Sequence, residues 1–227
     1  MKAAWWKMIC IVLLLYTVIA GFLMEVPRLA ILNESIRNLY FHVPMWFGML
    51  LILGISVFYS IKYLQKPSIE SDDMAVYAAH TGILFGMLGL ATGMAWARFT
   101  WGAWWVNDPK LNGAAIAMLI YMAYLVLRGS LEDEQQRARI SAIYNIFAFA
   151  TLVPLLFILP RLTDSLHPGN GGNPGFSSYD LDSRMRMVFY PAVIGWGLLS
   201  VWITQLSVRL KKLQRRSEET LHRQVQA

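Results

Sequence analysis

Apolar residues are gathered in six long runs that short polar segments separate. Most of these runs approach the roughly 20 apolar residues that an α-helix needs to cross a bilayer. They cover residues 6–24, 45–63, 75–95, 114–127, 140–159 and 187–206. The alternation of apolar and polar positions that marks the strands of a membrane barrel is missing from them. The pattern predicts an all-α, polytopic integral membrane protein, with six transmembrane helices forming a single domain over residues 1–227.

Three of the polar segments fall on one side of the predicted bundle, at residues 25–44, 96–113 and 161–184. Apolar residues recur at helical spacing in the first of them, which predicts a short amphipathic helix on the membrane surface over residues 25–40. His42 comes two residues before Pro44, and proline suits the first turn of a helix. His42 is therefore expected at the mouth of the second span.

Glycine and proline mark further features of the spans and loops. Glycines recur about every four residues in the third span (Gly82, Gly86, Gly89 and Gly93), a spacing that favours close helix packing. Pro154 predicts a kink in the fifth span, and Pro160 its end. The glycine- and proline-rich stretch that starts at His167 predicts a flexible loop that could act as a lid.

Composition and charge sharpen this picture. The chain is 56% hydrophobic and 15% charged, against about 25% charge in soluble domains. The net charge is +6, and 13 of the 20 Lys and Arg residues fall on the side of both termini, six of them in the C-terminal tail. Cytoplasmic segments of membrane proteins are enriched in Lys and Arg, so both termini are expected in the cytoplasm. This basic charge indicates topology and contact with the lipid bilayer, and no nucleic acid is expected.

The sequence argues against cysteine redox chemistry and against ATP binding. Cys10 is the single cysteine and lies within the first span, so neither a disulfide nor a redox pair is expected. No glycine-rich phosphate loop follows a strand pattern, which argues against ATP binding.

Four tryptophans, at positions 96, 101, 104 and 105, stand between the third and fourth spans around the stretch WGAWWVNDP. Tryptophan at this position is typical of an aromatic belt that anchors helix ends at the lipid headgroups. A flat aromatic platform for a large planar ligand is the alternative.

The histidines help to separate these interpretations. His42 and His167 fall on the outer face with the tryptophans, whereas His80 and His222 lie towards the inner face, across a bilayer core about 30 Å thick. Two neutral imidazoles above an aromatic floor suit haem, because imidazole nitrogens can take both axial positions of the iron. Zinc would need a third ligand. His80 is expected to donate a hydrogen bond in helix packing. The outer cations that could receive haem propionates are Arg28, Arg37, Arg98, Lys110, Arg161, Arg184 and Arg186.

Several motifs resemble one family. WGAWWVNDP, preceded by ATGMAWARFT, is similar to the WWD signature of haem-handling proteins of cytochrome c biogenesis (the CcmC, CcmF and CcsA group), and most of all to haem exporter protein C (CcmC). YFHVP around His42, SLHPG around His167 and DLDSRMR at residues 180–186 resemble further segments of that family. Asn107 and Lys110 depart from its pattern, which usually has Trp and Arg at these positions.

The resemblance implies a role for individual residues. His42 and His167 would be axial ligands of haem b on the outer face, and Trp101, Trp104, Trp105 and Asp108 would form the haem-binding platform. From the residues alone, Asp108 is expected to cap a turn before Pro109 or to orient an indole N–H.

The resemblance also implies a function without enzymatic activity. The protein would sit in the bacterial inner membrane with its haem site facing the periplasm, and would pass haem to a CcmE-like membrane-anchored chaperone. CcmA- and CcmB-like ABC transporter subunits and a small CcmD-like helical subunit would be its other partners. A b-type electron-transfer cytochrome and a small-molecule transporter remain as alternatives.

Overall fold

The computed structural model describes residues 4–167 and 181–225, and these ranges contain helices and no strand. The α-helices are α1 (Trp5–Leu23), α2 (Leu39–Gln65), α3 (Ile69–Trp101), α4 (Pro109–Gly129), α5 (Glu134–Val153), α6 (Leu159–Leu162) and α7 (Ser183–Val225). A 3-10 helix (Asn33–Asn38) leads into α2, and a π-helical turn (Pro154–Ile158) joins α5 to α6. Counting α5, the π turn and α6 together, six helices are long and apolar enough to cross a membrane. The predicted all-α fold with six spans is confirmed.

Capping residues fix several of the helix ends. Ser68 accepts a hydrogen bond from the Ser71 backbone at the start of α3, and Asp133 does the same for Gln136 at the start of α5. At the other end of α3, Gly102 adopts a φ of 82°, a left-handed conformation that glycine reaches without strain. Residues of the polar loops therefore determine where these helices begin and end.

α2 lies at the centre of the bundle and packs against α3, α5 and α7, while α1 packs against α7 at the periphery. The core between these helices is apolar and includes Met49, Leu53 and Phe85. A Cβ atom added to Gly82 of α3 would come within 2.3 Å of the Leu53 side chain. Gly82 therefore lets α3 approach α2 more closely than alanine would, as the glycine spacing predicted.

Two ion pairs tie the end of the bundle that lies opposite Trp101. Asp72 of α3 accepts two hydrogen bonds from Arg128 of α4, at 2.9 and 2.6 Å. Its neighbour Asp73, whose side chain is 2% exposed, accepts two from Arg215 of α7. Three helices are therefore fastened through two adjacent carboxylates, an arrangement that the sequence analysis did not anticipate.

The predicted surface helix over residues 25–40 is wrong. Residues 25–32 are irregular, and the following 3-10 helix runs directly into α2. Pro27 disfavours the helical conformation of the residue before it, Val26. The apolar side chains of this segment, such as Ile36, instead pack against Leu181 and Met185 at the start of α7. They cover one end of the bundle.

Other boundaries differ from the predicted ones because charged and aromatic residues extend the helices beyond their apolar cores. α3 continues to Trp101, so the loop between α3 and α4 is confined to residues 102–108. Pro160 does not end the fifth span, since it occupies the first turn of α6, where its missing N–H is tolerated. The basic tail continues α7 as far as Val225.

Candidate functional site

His42 lies in the first turn of α2, at the end of the bundle that also holds Trp101; we call this the tryptophan end. Its Nδ1 lies 3.0 Å from the carbonyl oxygen of Gly89 and 3.2 Å from the hydroxyl of Thr92, both on α3. Since a carbonyl only accepts hydrogen bonds, Nδ1 carries the proton and Nε2 carries the lone pair. The placement of His42 at a helix mouth is confirmed.

Glycine makes room for the His42 ring between the two helices. A Cβ atom on Gly93 would lie 2.7 Å from Cε1 of His42, which is closer than such atoms approach one another. Two indoles hold the ring edge-on, Trp46 at 6.2 Å and Trp96 at 5.8 Å between ring centroids. Trp96 in turn donates from Nε1 to the Ser35 hydroxyl at 3.2 Å. The orientation of His42 is therefore fixed from several directions.

His167 reaches the same end of the bundle from the segment after α6, and Asp108 holds it there. Nδ1 of His167 donates to Oδ1 of Asp108 at 2.9 Å. The backbone N–H of Leu166 and the hydroxyl of Ser165 donate to Oδ2 of the same carboxylate, at 2.7 and 2.8 Å. Trp101 packs edge-on against the imidazole, with the ring centroids 4.9 Å apart. His167 is thus tethered to the start of α4.

Asp108 also caps α4, as the sequence predicted, by accepting from the backbone N–H groups of Lys110 and Leu111. Its side chain is 1% exposed. Burial by itself would raise the pKa of this carboxyl, but the hydrogen bonds from His167, Leu166 and Ser165 hold the pKa well below its usual range. Asp108 is therefore ionised at neutral pH, and it orients an imidazole rather than an indole.

The two imidazoles present similar chemistry. Each has Nδ1 engaged by an acceptor, and no hydrogen bond joins Nε2 of either ring to the described residues. The rings are near enough to interact electrostatically, and Lys110 interacts with His42 as well. The structure therefore brings together three of the predicted site residues, His42, His167 and Asp108.

The remaining predicted tryptophans line the loop at this end. Trp104 is 57% exposed and Trp105 is 39% exposed, which leaves much of both indoles uncovered. Trp105 donates from Nε1 to Asn112 at 3.2 Å, and Asn112 donates to Asn107 at 2.8 Å. Asn107, which departs from the family pattern, therefore helps to hold the loop.

The predicted outer cations divide by their contacts. Arg37 donates to the carbonyls of Gly21 and Met24 at the end of α1, and Arg98 donates to Gly102. Arg184 pairs with Glu25, and Arg186 donates to Leu181. For the side chains of Arg28, Lys110 and Arg161, no hydrogen bond or ion pair is found within residues 4–167 and 181–225. Among these three, Lys110 interacts with the site histidine His42.

Some predictions concern other positions. His80 is exposed on α3 and packs edge-on against Tyr77, with no hydrogen bond to the described part of the chain, so its expected role in helix packing is wrong. The expected lid after His167 and the motif residue Asp180 fall in residues 168–180, outside the described ranges.

Trp46, Thr92 and Ser165 also contact the site residues, and none of them was predicted from the sequence. Trp46 follows His42 by four residues, a spacing that places both on one face of α2 and could have indicated the contact. Thr92 and Ser165 had no such signal, since their contacts depend on how α3 and the segment after α6 pack.

The donor set fits an iron porphyrin better than a bare metal ion. The described residues hold no group of three or more His, Cys, Asp or Glu that could bind an ion. Two imidazoles with open Nε2 atoms can serve iron held in a macrocycle, whose four nitrogens supply the remaining ligands. Exposed indoles suit the apolar surface of a porphyrin, and a neighbouring lysine suits its carboxylates.

Comparison with known proteins finds relatives that share one name. The chain is 26% identical to Heme exporter protein C of Escherichia coli (strain K12) over 181 residues, which is 78% of this chain and 70% of that protein. It is 27% identical to Heme exporter protein C of Bradyrhizobium diazoefficiens over 185 residues, covering 81% and 69%. For Heme exporter protein C of Rhodobacter capsulatus the values are 25% over 198 residues, covering 84% and 78%. The family profile of Heme exporter protein C matches residues 1–223, and the chain belongs to this family.

Proposed function

We propose that the chain binds haem b at the tryptophan end, with Nε2 of His42 and Nε2 of His167 as the two axial ligands of the iron. The observation that carries this proposal is the matching state of the two rings, with Nδ1 engaged and Nε2 open. A ligating histidine usually donates its other N–H to a carbonyl or carboxylate, which fixes the tautomer and the ring orientation. His42 and His167 have these two kinds of partner.

Family membership supports the general role. A Heme exporter protein C handles haem for cytochrome c maturation, and the six membrane-length helices make this chain a multi-pass membrane protein of bacterial type. In the proposed site, Trp101, Trp104 and Trp105 supply an apolar surface for the porphyrin. Lys110 is the proposed partner of a propionate, since it is near enough to His42 to interact with it electrostatically and its side chain makes no ion pair within the described ranges.

The finer assignment of function extends the same proposal. The chain would hold haem on the periplasmic face of the inner membrane and deliver it to a CcmE-like chaperone, without catalysing a reaction itself. CcmA- and CcmB-like ABC transporter subunits and a CcmD-like helical subunit would be its partners. Energy from ATP would come from those subunits, since the sequence offers no phosphate loop.

The alternatives fit the geometry less well. A b-type electron-transfer cytochrome typically places its histidines inside spans, whereas His42 lies in the first turn of α2 and His167 in a loop. A transporter would favour polar groups near the midplane that are open to a substrate. The buried Asn145 instead donates to Ser56 and Ser60, at 2.7 and 2.9 Å, so that these groups are largely occupied with one another.

Absorption spectra of the purified, haem-loaded protein test the proposal. We expect a Soret band in the wild type that is shifted or lost in His42→Ala and in His167→Ala. His80→Ala is the matched control, because His80 lies on the same bundle away from the site and its spectrum should equal that of the wild type. A wild type that takes up no haem would refute the proposal. So would unaltered spectra of both site variants.

A further inference from the structure

The two proposed iron ligands differ in what holds them. Nδ1 of His42 faces a neutral carbonyl of Gly89 and the hydroxyl of Thr92, whereas Nδ1 of His167 faces the carboxylate of Asp108. A carboxylate carries a full negative charge and draws the Nδ1 proton more strongly than a carbonyl dipole does. Electron density on the ring then rises, so Nε2 becomes a stronger donor to a metal.

The charge on Asp108 is held in place by its surroundings. Its side chain is almost fully buried, and it accepts hydrogen bonds from Lys110, Leu111, Ser165, Leu166 and His167. It also stands at the start of α4, where the helix dipole favours a negative charge. Nothing in this arrangement requires Asp108 to move for the imidazole to keep its partner, so the stronger donation is built into the fold.

We propose that Asp108 is a positioning residue that makes His167 the stronger of the two iron donors, and that His42 is the ligand exchanged when haem is passed on. This inference rests on the proposed function. In the exchange, the bond between iron and Nε2 of His42 breaks and the lone pair remains on Nε2. An incoming donor atom of the accepting protein takes the vacated axial position. No electron or proton is transferred, and the bond to His167 persists until the acceptor is in place.

The position of the ligands along the chain would suggest the opposite order. A histidine in a loop is expected to leave before one in a helix, because loops move more readily. Here the loop histidine is tied through its own ring and through the neighbouring Ser165 and Leu166 to one buried carboxylate. The helix histidine has the weaker electronic support. The contacts therefore reverse the order that topology alone would predict.

The experiment uses the full-length protein loaded with haem and measures two quantities, the rate at which haem dissociates and the midpoint potential of the iron. We expect His42→Ala, which leaves His167 as the ligand, to dissociate haem at least tenfold more slowly than His167→Ala. We expect Asp108→Asn to weaken binding of ferric haem about tenfold relative to binding of ferrous haem. That change raises the midpoint potential of a one-electron couple by about 59 mV. Asp164→Asn is the matched control: it makes the same change in net charge at an exposed carboxylate three residues from His167, and should leave the potential unchanged.

Combining the substitutions tests whether Asp108 acts through His167. Asp108→Asn should speed haem loss in the His42→Ala background and have little effect in the His167→Ala background, where the ligand it supports is gone. Equal dissociation rates in the two histidine variants would overturn the inference, and so would a haem-bound Asp108→Asn protein with the potential of the wild type. If Asp108→Asn fails to fold, the comparison of the two histidine variants decides alone. A wild type that binds no haem would count against the proposed function instead.

Discussion

A methyl group at position 93 should disturb the proposed haem site through one contact. In Gly93→Ala, the new Cβ atom would stand 2.7 Å from Cε1 of His42, and ordinary contact begins at 3.4 Å. The ring must therefore withdraw by about 0.7 Å, which exceeds the tolerance of about 0.5 Å for a productive site. The hydrogen bond from Nδ1 to Gly89 is stretched at the same time.

The magnitude follows from two opposing effects. Alanine favours the α3 helix over glycine by about 1 kcal/mol. Overpacking costs about 1–3 kcal/mol, and weakening the hydrogen bond of His42 adds about 0.5–1.5 kcal/mol. The overpacking displaces the proposed ligand His42, whereas the higher helix propensity of alanine stabilises only α3. We therefore expect haem affinity to drop about tenfold, or about 1.4 kcal/mol. The stability of the protein without haem should change by less than about 2 kcal/mol.

The assay is a haem titration followed at the Soret band, paired with thermal unfolding in the same detergent. Gly54→Ala is the matched control, since Gly54 lies within α2 and its added Cβ would meet only Phe149, at an ordinary 3.9 Å. The control should keep the haem affinity of the wild type. If Gly93→Ala binds haem as tightly as Gly54→Ala, the assignment of His42 as a ligand held against α3 is wrong.

Three further predictions concern other contacts. Asp73→Ala should lower the free energy of unfolding by about 2 kcal/mol. Breaking a fully buried ion pair costs about 3–5 kcal/mol, but Arg215 is 33% exposed and regains water; thermal unfolding of the double variant with Arg215→Ala should therefore show part of the loss recovered. The pKa of Asp108 is depressed in the folded protein, so its ionised carboxylate stabilises the fold. This contribution to the free energy of unfolding is complete above the ordinary carboxyl pKa of about 3.9 and is lost as the pH falls below that value. The stability difference between wild type and Asp108→Asn should therefore narrow on acidification below about pH 4, and a constant difference would contradict this reasoning. Trp101→Leu should weaken haem binding by about 0.5–1.5 kcal/mol, because it removes the edge contact with His167, and the same titration measures it.

The spans were predictable from the sequence because membrane-length apolar runs leave few alternatives. Boundaries were less accurate, since Trp96 and Trp101 read as loop residues although they continue α3. An indole at a membrane interface suits a helix end as well as a loop. Helix propensity alone could not separate the two.

The proposed site was only partly predictable. The number of spans placed His42, His167 and the tryptophans at one end, which the structure confirms by the contacts of Trp96 with His42 and of Trp101 with His167. Only part of the role of Asp108 was visible in the sequence. Its cap on α4 is local and could be inferred from the following proline, whereas its bond to His167 joins residues 59 positions apart and depends on tertiary packing.

The π turn after α5 determines where the segment carrying His167 points. Within it, the N–H of Leu159 bonds to the carbonyl of Pro154, five residues earlier, so the chain holds one residue more than an α-helical turn would. The added residue rotates everything downstream by about 100° relative to an uninterrupted helix. Gly113 accepts the resulting bulge, since a Cβ there would collide with the carbonyl of Leu155. A single-residue deletion in this turn would keep the span intact and direct the imidazole of His167 away from Asp108. The number of residues in the turn therefore matters to the proposed site as much as the histidine itself.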